Sequence, residues 1–122
     1  MQGKEFATYI GRLILEKKGE EVLIMDLKGL TSMADYFVIC TANSDVQAKA
    51  IMKHVRDQLL FHSVKPWHVE GTNTFHWVLM DYIDVVLHIF QPDARDFYSL
   101  ERLWGDAEIT GLKDQNESTG IH

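Results

Sequence analysis

The chain has 122 residues, 46% of them hydrophobic and 25% charged, and a formal net charge of −6. That length suits one domain with its own core, and no apolar run approaches the ~20 residues a membrane helix needs. The acidic balance disfavours extensive wrapping of nucleic acid, whose affinity comes from neutralising phosphates, and favours a basic protein partner.

The opening stretch MQGKEFATYIGRLILEKKG is amphipathic and carries acids, so it resembles neither a secretory signal nor an acid-poor transit peptide. With a single cysteine, Cys40, it fits a reducing compartment, and the bacterial cytoplasm is the expected location. Phe6, Ile10, Leu13 and Ile14 recur at helical spacing, predicting a helix of roughly four turns with Gly19 as its C-terminal cap. VLIMDL (22–27) and DYFVICTA (35–42) read as strands, apolar enough to be covered on both faces. Ser44 and Gln47 have the capping-box arrangement, and Ala48, Ile51, Met52, Val55 and Leu59 mark the buried side of a second helix ending before Pro66.

WHVE (67–70) is a short strand, GTNT a turn, and HWVLMDYIDVVLHIF (76–90) a hairpin. A two-residue turn at Tyr82-Ile83 would set Trp77 opposite His88, and a three-residue turn would set it opposite Ile89. Pro92 ends the sheet, and Asp93 is placed to cap a last helix burying Phe97, Leu100 and Trp104. The predicted fold is an α/β (α+β) single domain over residues 1–107, a mixed five-stranded sheet with flanking helices. The polar segment 108–122 is expected to be a disordered tail.

Candidate chemistry is sparse. Asp81 and Asp84 could face each other across the hairpin mouth, but aspartates beside a turn chiefly accept backbone hydrogen bonds. His68, His76 and His88 could meet on adjacent strands, yet their spacing is not that of a zinc site, and no metal is expected. Cys40 lies in an apolar strand that keeps a thiol protonated. There is no GxSxG, GxxxxGK[ST] or GxGxxG, so no catalytic residue or cofactor is assigned. Lys49, Lys53 and Arg56 form a short basic stripe on the second helix, enough for peripheral RNA contact only. Trp77, Arg95 and Tyr98 are of the types enriched at protein-interface hot spots.

DYFVICTANS (35–44), VEG (69–71), WVLMDYIDVVLHIF (77–90) and ARDFYSLERLWGDA (94–107), in this order and spacing, resemble the iojap family of ribosomal silencing factors, RsfS. The resemblance covers nearly everything up to Ala107. It implies a nucleotidyltransferase-like fold without a demonstrated catalytic role. It also implies binding to ribosomal protein fourteen of the large ribosomal subunit, a steric block to small-subunit joining, and repression of translation under nutrient limitation; self-association as a homodimer is a further expectation. Carried over by position, the partner-binding surface comprises Glu70, Trp77, Asp81, His88, Arg95, Tyr98 and Glu101. Relatives commonly carry glycine where Ile83 stands, which implies a turn with positive φ. The competing readings are a nucleotidyltransferase-like enzyme, whose glycine-serine turn and Asp-x-Asp pair are not recognisable, and a small RNA-binding module in ribosome assembly.

Overall fold

The computed structural model describes residues 1–113, without the side chains of Phe97 and Tyr98. The elements in chain order are α1 (Gly3–Glu16), β1 (Glu20–Asp26), β2 (Tyr36–Thr41), α2 (Asp45–Leu60), β3 (His68–Glu70), β4 (Trp77–Asp81), β5 (Val85–Phe90), α3 (Pro92–Tyr98), α4 (Leu100–Leu103) and β6 (Glu108–Leu112). The strands form one mixed sheet in the order β3-β4-β5-β2-β1-β6, with β2 and β5 parallel and every other neighbouring pair antiparallel.

The expected α/β architecture is present, with six strands where five were expected. The sixth corrects the reading of residues from 108 onward as a disordered tail: Glu108–Leu112 pairs antiparallel with β1 as an edge strand. The pairing satisfies β1's outer backbone groups, and Leu112 packs over Gly11, where the missing side chain leaves it room. The rest of the expected tail, 114–122, lies outside the described residues.

The helix ends show how local chemistry overrides simple cues. Ser44 Oγ accepts the Gln47 N–H at 3.1 Å, as the capping pattern requires. The Gln47 side chain turns back to the Asn43 N–H at 2.7 Å and donates to the Lys18 carbonyl at 2.8 Å, tying the start of α2 to the end of α1. The cap of α1 is not the one expected at Gly19. Lys18 takes the left-handed conformation (φ 64°), while Gly19 N–H reaches the Ile14 carbonyl at 3.1 Å, completing a Schellman-type end. Nor does Asp93 cap the last helix. Gln91 occupies the N-cap, without a side-chain cap bond, Pro92 opens α3, and Ser99 at φ 43° divides the segment into two short helices.

Two cores lie on opposite sides of the sheet. One joins α1 and α2 to Val78, Met80, Leu87 and Ile89. The other packs Leu100, with the half-buried Ala94 and Trp104, against Met25, Phe37, Ile39, Val86 and Phe90. Cover on this second face thins toward β4, where Trp77 and Leu79 are only half-buried. The basic stripe of α2 belongs to the opposite layer, with Lys49 and Lys53 exposed and Arg56 3.4 Å from Asp57.

Candidate docking face

Alternation along β4 sends Val78 and Met80 into the first core and Trp77, Leu79 and Asp81 to the other side. The observed register departs from both sequence-based alternatives. Asp81 lies opposite Val86, which places Trp77 opposite Phe90 and Leu79 opposite His88. Tyr82 N–H reaches the Val85 carbonyl at 2.9 Å, so the loop is Ile83-Asp84, one residue further along than Tyr82-Ile83. Asp81 and Asp84 therefore do not face each other. Asp81 Oδ1 accepts the Ile83 N–H at 2.7 Å, and the Asp84 carbonyl accepts the N–H groups of Asp35 (2.8 Å) and Tyr36 (3.0 Å). Both aspartates shape the turn and its attachment to β2.

Ile83 stands at φ 75°, and Asp84 N–H closes a three-residue turn onto the Tyr82 carbonyl at 3.0 Å. The positive φ that glycine would favour is thus kept by a β-branched residue.

The pairings assemble two rows across one face. Glu70, Leu79, His88 and Ile39 form one row; His68, Asp81, Val86 and Phe37 form the next. The centre is aromatic. Trp77 stacks on Phe90 with centroids 5.0 Å apart, and Phe37 meets the His88 ring edge-on at 4.6 Å. Trp77 Nε1–H donates to His88 Nδ1 at 3.0 Å, which fixes the imidazole proton on Nε2. Burial pushes the His88 pKa down to about 3, so the ring is neutral at physiological pH. The carboxylates of Glu70 and Asp81 stand on the β3 and β4 side of this aromatic centre.

The sequence-predicted residues thus divide by role. Trp77 and His88 meet at the centre, and Glu70 and Asp81 share their side of the sheet. Arg95 is 6% exposed: its guanidinium donates to the Glu21 carbonyl at 2.7 Å and Thr41 Oγ1 at 2.8 Å, and Glu101 lies 3.7 Å away. It staples α3 to the ends of β1 and β2, behind the surface. Glu101 Oε1 has no hydrogen-bond partner among the described residues. The Tyr98 side chain lies outside the described residues.

Sequence reasoning passed over Leu79, although period-two alternation from Trp77 identifies it, and the structural part of Gly71. At φ 90°, Gly71 lies so close to β4 that a Cβ there would come within 1.9 Å of the Trp77 carbonyl oxygen. The glycine of the Glu-Gly pair therefore sets where the tryptophan strand begins.

The three histidines do not converge as metal ligands among the described residues: His68 is 3.4 Å from Glu70 on the edge strand, whereas His88 is buried beneath Trp77. The Cys40 thiol is fully buried, and its pKa is raised to about 12. Beside the C-terminal end of β2, a hollow of about 210 Å³ is lined by Glu20, Glu21, Thr41, Asn43, Pro92, Arg95 and Asp96. It is smaller than the ~300–1,000 Å³ usual for small-molecule pockets. Three carboxylates there oppose a phosphate group, and Arg95 is already engaged.

The model of a family described as "Ribosomal silencing factor during starvation" matches residues 2–121. A Bacillus subtilis protein named ribosomal silencing factor RsfS is 42% identical over 97 residues, covering 80% of this chain and 82% of its own. A crystal structure of a Chromobacterium violaceum protein superposes with a TM-score of 0.82 at 31% identity, covering 94% of this chain and 92% of its own. More distantly, a mouse protein named for mitochondrial assembly of the ribosomal large subunit is 24% identical over 75% of this chain and 42% of its own.

Proposed function

Because this chain belongs to the RsfS family of ribosomal silencing factors, with the ribosome-associated silencing role that membership supports, we propose that the Trp77 face docks on the large ribosomal subunit. Its contact there is ribosomal protein fourteen. Bound on the intersubunit side, the protein occupies space that the small subunit needs, and it represses translation under nutrient limitation without making or breaking a bond. The name of the mouse relative points to the same subunit.

The observation that carries this reading is the half-buried Trp77, seated on the buried His88 and Phe90 beside the half-buried Leu79, with Glu70 and Asp81 on the same side of the sheet. Aromatic groups bury much area at small cost in side-chain entropy, while acids steer a basic partner into register. A standard interface of ~1,200–2,000 Å² suffices for a specific block. Arg95 and Gly71 contribute by holding α3 and β4 in place, and a second copy of the chain on the same face would compete with the ribosome.

Co-sedimentation with isolated large subunits tests the assignment. The wild-type chain is expected in the subunit fraction, and Trp77→Glu, which puts a charge on a half-buried surface position, in the supernatant with its circular dichroism unchanged. Co-sedimentation of the folded variant at the wild-type level removes Trp77 from the contact.

A further inference from the structure

His88 is 3% exposed, yet its Nε2 has no hydrogen-bond partner among the described residues. The ring cannot relieve this by changing tautomer without losing another bond, because Nδ1 is engaged by the indole N–H of Trp77 at 3.0 Å. Nε2 therefore carries the proton as a buried donor that is unpaired among the described residues. Such groups are rare because each forfeits its hydration without replacement. Nε2 is also at the far end of the imidazole from the backbone. On the β4 side the ring is bordered by Leu79, directly opposite in register, and by Trp77, its indole partner, and both are half-buried.

We propose that His88 is a specificity-determining donor of the docking face, its Nε2–H held ready for a neutral oxygen acceptor: a main-chain carbonyl on an apolar segment of a basic protein partner. This rests on the docking reading and adds the chemistry of what is recognised. Three features select the occupant. The surroundings are apolar and aromatic, so a segment without charge at that point fits against the half-buried Leu79 and Trp77, with Phe37 buried behind the ring. A carboxylate acceptor would lose its hydration in this setting and meet a chain of net charge −6. A main-chain carbonyl brings an acceptor without a charge, and the basic residues flanking it can face Glu70 and Asp81, which share this side of the sheet. In the free protein the Trp77 indole fixes the donor's tautomer, and because Nε2 is buried, the half-buried Leu79 bordering the ring moves aside to admit the partner's carbonyl.

Two measurements test this with purified ribosomal protein fourteen as the probe. In calorimetric titration, His88→Phe keeps a flat aromatic ring but lacks the donor, and it is expected to bind about ten-fold more weakly than wild type, the scale of leaving a buried carbonyl unpaired. In ¹⁵N-edited NMR of the wild-type protein, the Nε2–H resonance of His88 is expected to move downfield and exchange more slowly with solvent once the partner is bound. If His88 merely orients Trp77, the resonance stays where it is, and the proposal is overturned. Wild-type affinity of His88→Phe alongside loss of binding by Trp77→Glu overturns the donor role while leaving the docking face in place. Wild-type affinity of both variants removes the face itself. Should His88→Phe fail to fold, the wild-type resonance alone decides.

Discussion

Ile83 pays for its position in backbone strain: a β-branched residue at φ 75° on an exposed loop crowds its own carbonyl, at a cost of about 1–2 kcal/mol. Glycine removes that cost and gives back part of it as chain entropy in the unfolded state. Ile83→Gly is therefore expected to stabilise the protein by about 1 kcal/mol and raise Tm by about 4 °C in a thermal melt; a lower Tm would show that the Ile83 side chain holds the turn through contacts. His88 gives a second residue-scale test. An unfolded histidine titrates near 6.5, and burial holds His88 at about 3. Between those values the unfolded chain binds a proton that the native ring refuses. The contribution is complete above pH 6.5 and is lost as pH falls toward 3. From pH 7 to pH 5 this costs about 2 kcal/mol. His88→Phe should lose less stability than wild type over that interval by about this amount in urea titrations; equal slopes would mean that the native imidazole protonates freely.

Among the elements, the β3–β4 connection is the most exposed to a single change. Gly71 has both a positive φ and a carbonyl pressed against it, so Gly71→Ala must move β3 or β4. A loss of about 2–4 kcal/mol is expected in denaturant unfolding, with weaker large-subunit binding because Trp77 shifts with its strand. Unchanged stability would contradict the close approach. The same region shows what the sequence could disclose. Period-two alternation and the turn residues suffice for a hairpin over 76–90 with Trp77 facing away from Val78 and Met80. They do not suffice for its register, which depends on Ile83 accepting a conformation its side chain disfavours. Residues 108–112 were missed because an edge strand with one glycine and two polar residues lacks a strong alternation; its pairing to β1 and the packing of Leu112 over Gly11 are tertiary. Arg95 has the composition of a hot-spot residue but is consumed inside, by Thr41 and Glu21, which lie 54 and 74 residues away in the chain. Residue type alone cannot separate a surface cation from a buried staple, because the difference is made by partners distant in sequence.

For the whole molecule, the arrangement separates tasks by layer. α1 and α2 build the larger core on one side of the sheet, leaving the other to carry the half-buried Trp77 and Leu79 with two acids on the same side. A body of this shape needs neither a substrate pocket nor a moving part to interfere with assembly; it needs only to stay bound where another large body must fit. On the proposed reading, blocking by occupation would also make the stoichiometry definite, one bound copy disabling one large subunit. The direct measurement is light scattering of purified small and large subunits mixed with increasing amounts of the protein. The account predicts that the rise in scattering on subunit joining is suppressed to completion near one copy per large subunit, without nucleotide, and that Trp77→Glu restores it. Full joining at saturating excess of the wild-type protein would contradict it.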